Sequence, residues 1–153
     1  MIKSKVTFLI NQPLERVFQY TTNPEHYSLW MPGLISISDL SHKQLINGST
    51  FRLRHHEGGK MEDLDTRVMT HETNARWSLL ATGKKLWFRR AMEFRQRNGG
   101  TEVTYTEERT DLAGGLSFMF FLMNNKHQVL SEEGCENLKK LLENTATAAT
   151  PAS

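Results

Sequence analysis

Arg90 and Glu107 offer the most chemistry in this sequence. A guanidinium paired with a carboxylate can orient an acid or a carbonyl, and a carboxylate or imidazole nearby can move a proton. Strand pairing brings the two together. Asn98-Gly99 is a strong two-residue hairpin signal, and a turn there sets Phe94 against Val103, Met92 against Tyr105 and Arg90 against Glu107. A Gly58-Gly59 turn sets His55 opposite Glu62, Leu53 opposite Leu64 and Phe51 opposite Thr66. Side chains alternate faces along a strand, so these residues share one side of the sheet. The other side receives Arg54 opposite Asp63 and Arg52 opposite Asp65, pairs worth roughly 0.2–1 kcal/mol each. A turn at Thr73-Asn74 predicts Val68 against Leu79 and Thr70 against Trp77. A turn at Thr82-Gly83 predicts Leu79 against Leu86 and Trp77 against Phe88.

The shared inward face therefore carries His55, Glu57, Glu62, Arg90, Glu107, Arg109 and Asp111 beside its apolar residues. Buried charge is costly unless paired or solvated. Two readings follow. Either this end of the face is a wet rim or a set of structural pairs, or it is a cavity with an apolar base and converging polar groups, the usual form of a small-molecule site.

Elsewhere the chemistry is thinner. His127 lies on the inward stripe of a predicted C-terminal helix, as a packed histidine or as a polar cap to a cavity. Cys135 on the same helix reads as a small buried residue. Gly134 costs that helix roughly 1 kcal/mol against alanine, for close packing or to leave room for a ligand. His42, His55, His56 and His71 lack metal-ligand spacing, and His55 and His56 point to opposite faces, so no metal and no cofactor is expected. There is no phosphate-cradling glycine loop, dinucleotide fingerprint or nucleophile elbow. Lys84, Lys85, Arg89 and Arg90 interleave with Trp87 and Phe88, but acidic residues stand opposite, so no nucleic-acid partner is expected.

These residues must be held by strands at Lys5–Ile10, Leu34–Leu40, Thr50–Glu57, Lys60–Thr73, Ala75–Ala81, Lys85–Arg97 and Thr101–Asp111. Pro13 and Pro24 open two short helices after the first strand. After Gly114-Gly115 the period becomes helical: Leu116, Phe120, Met123, His127, Leu130, Gly134, Leu138 and Leu141 recur at spacings of three and four. The stretch Leu116–Met123 is apolar nearly all round. It reads as a buried helix start, a lid over a cavity, or a surface for lipid or a partner.

Composition bounds the rest. The chain has 153 residues, 38% hydrophobic and 24% charged, which suits one domain with a sizeable core and excludes a disordered or fibrous protein. A single cysteine excludes a disulfide framework. A net charge of +2 says little about partners. No apolar run approaches a membrane span, and Met1-Ile2-Lys3-Ser4 lacks a signal-peptide layout, so a cytoplasmic location is expected. Residues 1–144 read as one domain and 145–153 as a frayed tail. A monomer or homodimer is expected.

The order of elements and the local wording are also familiar. Val6-Thr-Phe-Leu-Ile-Asn-Gln-Pro-Leu-Glu-Arg-Val-Phe18 resembles the opening of the START-like, or SRPBCC, superfamily. Asn23-Pro-Glu-His-Tyr-Ser-Leu-Trp-Met-Pro32 is similar to its "asparagine-proline … tryptophan-x-proline" segment. Asn47-Gly48-Ser-Thr50, Gly99-Gly-Thr101-Glu-Val-Thr-Tyr105 and Asn137-Leu-Lys-Lys-Leu-Leu-Glu143 match later landmarks. The resemblance covers residues 3–143 and is nearest to the polyketide cyclase/dehydrase-like branch. It implies an α+β helix-grip fold: a strand, two short helices and a six-strand meander, forming a curved antiparallel sheet wrapped around a long C-terminal helix. It further implies a cavity for a lipid, polyketide, aromatic or quinone-type molecule. The superfamily shares no universal catalytic set, so it assigns no catalytic residue here. We therefore expect Phe51, Leu53, Trp77, Phe88, Met92 and Tyr105 to form an apolar wall. Arg90, Glu107, His55 and Glu62 would hold a polar head group, and Phe120, Met123 and His127 would close the cavity from the helix. The first expectation is a binding or transport protein for a small hydrophobic molecule. One alternative is a cyclase or dehydratase-type enzyme, with Glu107 or His55 as base and Arg90 or Tyr105 stabilising an enolate-like oxygen. Another is a module that meets a partner or a quinone-bearing membrane, the latter less favoured.

Overall fold

The computed structural model describes residues 1–111 and 117–149, with side chains described over 1–110 and 125–144. Strand β1 (Ile2–Ile10) leads into helix α1 (Leu14–Thr22), a single 3-10 turn (Pro24–His26) and the short helix α2 (Tyr27–Trp30). Strands β2 (Leu34–Ser38), β3 (Thr50–Glu57), β4 (Lys60–Glu72), β5 (Arg76–Thr82), β6 (Leu86–Arg97) and β7 (Gly100–Asp111) follow, then helix α3 (Ser117–Ala149). The seven strands form one curved antiparallel sheet in the order β1-β7-β6-β5-β4-β3-β2. The helix-grip order expected from sequence is the order observed. Helix α3 continues past Asn144 to Ala149, into the segment expected to fray.

Local chemistry explains the helical entry. Asn23 accepts the Glu25 N–H through its side chain at 3.0 Å, with Pro24 at the first position of the turn. The buried Tyr27 hydroxyl donates to the Thr22 carbonyl at 3.1 Å. Phe18 of α1 meets Phe94 edge-on, ring centroids 5.2 Å apart. Pro13 precedes α1 without a side-chain cap, and the Asn11 N–H donates to Glu143 of α3 at 3.0 Å.

Two hairpins match the expected register residue for residue. Leu53–Leu64, Phe51–Thr66, Arg54–Asp63 and His55–Glu62 pair across β3 and β4. Phe94–Val103, Met92–Tyr105 and Arg90–Glu107 pair across β6 and β7. Both turns use the left-handed region, Gly58 and Gly59 at φ 58° and 76°, Asn98 and Gly99 at 46° and 81°. That is the conformation a two-residue turn between twisted strands demands.

The middle hairpins depart from the simple count. Val68 faces Leu79 as expected, but Trp77 faces His71 instead of Thr70. The β4–β5 turn has one more residue than expected, and a bulge at Met69 between Val68 and Thr70 absorbs it. At β5–β6 the shift is larger: Trp77 faces Met92, Leu79 faces Arg90 and Ala81 faces Phe88. The reason is a longer loop. Gly83 N–H donates to the Leu86 carbonyl at 2.8 Å, and Glu62 accepts the Lys85 N–H at 2.9 Å. Lys84 and Lys85 thus stay in a solvated loop and do not pair. The shift is an even number of residues, so the faces are preserved, and Arg90 moves to the middle of the sheet.

Helix α3 lies along β1. Gln128 accepts the Lys5 N–H at 3.3 Å and donates to the Lys5 carbonyl at 3.1 Å, as a neighbouring strand would. Ser4 and Ser131 share a hydroxyl hydrogen bond of 2.7 Å. Among the described residues the buried positions of α3 are His127, Ser131, Gly134, Cys135, Leu138 and Leu142, so Leu142 replaces the expected Leu141, which is half-buried. Gly134 serves close packing: a Cβ there would stand 2.8 Å from Pro32 Cδ and 3.0 Å from the Trp30 carbonyl oxygen. Among the described residues no helix is long and apolar enough to cross a membrane. The side chains of the apolar patch Leu116–Met123, Phe120 and Met123 among them, lie outside those described.

Candidate functional site

A pocket of ≈ 220 Å³ opens where the curved sheet, the α2–β2 connection, the β3–β4 hairpin and helix α3 meet. Its polar lining converges from distant parts of the chain. His55 and Glu57 come from β3, Arg90 from β6, Glu107 and Arg109 from β7, Lys126 and His127 from α3. Pro32 and Gly33 form one wall. Gly33 has φ +73°, and a Cβ there would meet the His55 ring, so glycine is needed for both conformation and space.

Arg90 is 1% exposed. Its Nε donates to Glu107 Oε2 at 2.7 Å and its Nη2 to the Pro32 carbonyl at 3.2 Å. The guanidinium carbon lies 4.3 Å from the Phe88 ring centroid, a cation–π contact. The Tyr105 hydroxyl donates to the same Glu107 Oε2 at 2.6 Å. Burial alone would raise the Glu107 carboxyl. Arg90, the Tyr105 hydroxyl and Arg109 overcome that and hold it below the ordinary carboxylate range. Burial, with Glu107 beside it, pushes the Tyr105 phenol well above its ordinary value.

Arg109 joins the pocket's two sides. Its Nη2 donates to Glu57 Oε2 at 2.6 Å, and its Nη1 donates to His127 Nδ1 at 3.0 Å and lies 3.6 Å from Glu107 Oε1. A guanidinium has only donors, so His127 Nδ1 accepts and the neutral ring carries its proton on Nε2. Burial works against the Glu57 charge, yet Arg109 brings its carboxyl below the ordinary range. His55, 3% exposed, is lowered to about 4 by burial and then by the Arg90 charge. It is a neutral imidazole at physiological pH. Cys135 is buried, its thiol pushed up to about 12 by burial and by Glu107, which leaves it inert as a nucleophile.

Of the residues expected to hold a head group, His55, Arg90 and Glu107 line the pocket, as does His127 from the helix. Glu62 does not line the pocket; it fastens the Lys85 loop. The expected apolar wall does not line it. Leu53, Trp77, Phe88 and Met92 are buried in one continuous core with Leu64, Val68 and Leu79. Phe51 belongs to that core and touches a shallow depression between Thr50 and Arg67. Tyr105 reaches the site through Glu107. Phe88 lies beneath the Arg90 guanidinium and Leu79 faces Arg90 across the strands, so the base that was expected to be hollow is filled by the core. Sequence reasoning did not name Pro32, Gly33, His56, Gly58, Lys126 or Ser131 for the site, and placed Leu130 on the helix's inward stripe without assigning it there. Helical spacing from His127 puts Leu130 and Ser131 on its face and could have found them. The approach of Gly33 to His55 had no sequence signal.

Residues 11–143 match the family described as "Activator of Hsp90 ATPase homolog 1-like protein". No curated protein matches the sequence. Solved structures share the fold at low identity. A conserved protein from Geobacillus kaustophilus is 13% identical over 94% of this chain and 97% of its own, with a TM-score of 0.74. Protein TTHA0849 from Thermus thermophilus is 19% identical over 97% of this chain and 99% of its own, with a TM-score of 0.69. DynU16, from the dynemicin biosynthetic locus, is 14% identical over 95% of this chain and 48% of its own, with a TM-score of 0.63.

Proposed function

The chain belongs to the family of Activator of Hsp90 ATPase homolog 1-like proteins, in the START-like superfamily, and we propose that it binds a small, largely hydrophobic molecule by its polar head group. One observation carries this reading. The ≈ 220 Å³ pocket is lined by deeply buried polar side chains, and two of their donors, Arg90 Nη1 and Arg109 Nε, have no hydrogen-bond partner among the described residues. A folded protein seldom leaves a buried polar group unmatched unless something else is to meet it. At ≈ 220 Å³ the pocket is smaller than the roughly 300–1,000 Å³ of a drug-sized ligand's site, which restricts it to a compact ring system or short chain with one polar group.

The enzyme reading is weaker. A general base needs a pKa near the working pH. Glu107 is instead held ionised by Arg90 and Tyr105, and His55 is lowered to about 4. Both are poor proton acceptors at neutral pH.

A thermal-shift panel of small naphthalene, phenyl and medium-chain aliphatic probes tests the proposal. A probe present at about a hundred times its Kd stabilises by about 2.7 kcal/mol, a Tm rise on the order of 5–10 °C for a chain of this size. A panel that leaves Tm unmoved up to each probe's solubility contradicts it.

A further inference from the structure

Resting on that reading, we infer that the head group taken by the pocket is anionic, a carboxylate met by Lys126 at the mouth and His55 in the wall. The charges lining the pocket do not cancel. Arg90, Arg109 and Lys126 supply three positive charges; Glu57 and Glu107 supply two negative ones. Each carboxylate is matched to an arginine already, Glu107 with Arg90 at 2.7 Å and Glu57 with Arg109 at 2.6 Å. The remaining charge is that of Lys126, which is exposed and has no ion-pair partner among the described residues.

The unused hydrogen-bonding capacity has the same sense. Arg90 Nη1 and Arg109 Nε, both buried in the walls, have no partner among the described residues. Both are donors. No Glu57 or Glu107 oxygen is orphaned in this way; Glu107 Oε2 already accepts from both Arg90 and Tyr105. His55 is neutral, so its ring offers one N–H, and a carboxylate oxygen suits an N–H and an ammonium together. The three head-group classes are thus ranked. An ammonium would meet three cations with both carboxylates engaged. A hydroxyl could serve His55 and would leave Lys126 unmatched. A carboxylate serves both.

The experiment is a calorimetric titration of the full chain with three probes that share one ring: 1-naphthoate, 1-naphthylmethanol and 1-naphthylmethylamine. Naphthoate should bind about tenfold tighter than the alcohol, and the amine weakest. Lys126→Gln should weaken naphthoate by about three- to tenfold and leave the alcohol unchanged. Raised salt should weaken naphthoate alone. If the alcohol or the amine binds as tightly as naphthoate, or if Lys126→Gln leaves the naphthoate preference intact, the anionic assignment is overturned while the pocket reading stands. If no probe binds, the pocket reading fails and this inference with it.

Discussion

Replacing Arg90 with methionine should lower the unfolding free energy by roughly 3–5 kcal/mol, the cost of leaving a buried carboxylate without its partner. Glu107 is buried on the sheet's inner face, and once Arg90 is gone its hydrogen-bond and ion-pair partners among the described residues are Tyr105 at 2.6 Å and Arg109 at 3.6 Å. The lost cation–π contact with Phe88 adds to the effect. A urea titration followed by circular dichroism measures it. The double variant Arg90→Met/Glu107→Leu is the control. It removes both charges, so it should recover most of the loss, with the Tyr105 hydroxyl and the Pro32 carbonyl left without the partners they had. A single-variant loss below about 1 kcal/mol would mean that water reaches the pair, because an exposed ion pair is worth that little. The same experiment separates fold from function. Arg90 and Glu107 belong to the scaffold that shapes the pocket, whereas Lys126 is exposed at its mouth and can be changed without touching the core.

The second large effect is on pH dependence. His55 is lowered to about 4 in the folded chain, against 6.5 for an unperturbed ring. Above pH 6.5 both folded and unfolded chains hold it neutral, so it contributes no slope. Below 6.5 the unfolded chain takes up the proton and the folded chain resists until about 4. Stability therefore falls as pH drops through this window, by about 2–3 kcal/mol from this residue. His71 is lowered as well, chiefly by burial, and adds a slope of the same sign. Glu57 and Glu107 are depressed carboxyls, so their contribution is held above the unfolded value of 4.5 and lost below it. Comparing the wild type with His55→Gln between pH 7 and 4.5 isolates the histidine. The difference in unfolding free energy should change by about 2 kcal/mol or more across that range in favour of the variant. Parallel stability curves would show that the His55 ring is solvated and that the pocket is open to water.

Much of this arrangement was readable from the sequence because it depends on short-range signals. Asn98-Gly99 and Gly58-Gly59 are turns whose geometry fixes register, so Arg90–Glu107 and His55–Glu62 could be placed by counting. The β5–β6 register could not, because Thr82-Gly83 resembles a tight turn and gives no sign that Glu62, from another strand, fastens Lys85 into a longer loop. That shift sets Trp77 opposite Met92, Leu79 opposite Arg90 and Ala81 opposite Phe88. The Glu57–Arg109–His127 group was half-readable. Each residue falls on the inward face, but their meeting depends on how α3 crosses the hairpin, which Gln128, Ser131 and Gly134 set through contacts with Lys5, Ser4 and Pro32. None of those contacts has a sequence period to announce it.

The central claim is that a small molecule enters this pocket and no other. An amide NMR titration of the isotopically labelled chain with 1-naphthoate tests it most directly, because it reports binding and place together. The account predicts saturable shifts concentrated at Gly33, His55, Glu57, Gly58 and Lys126 through Ser131, with little change across the core hairpin at Leu64, Val68 and Leu79. Saturable shifts centred elsewhere, or none at a concentration near the probe's solubility, would contradict it.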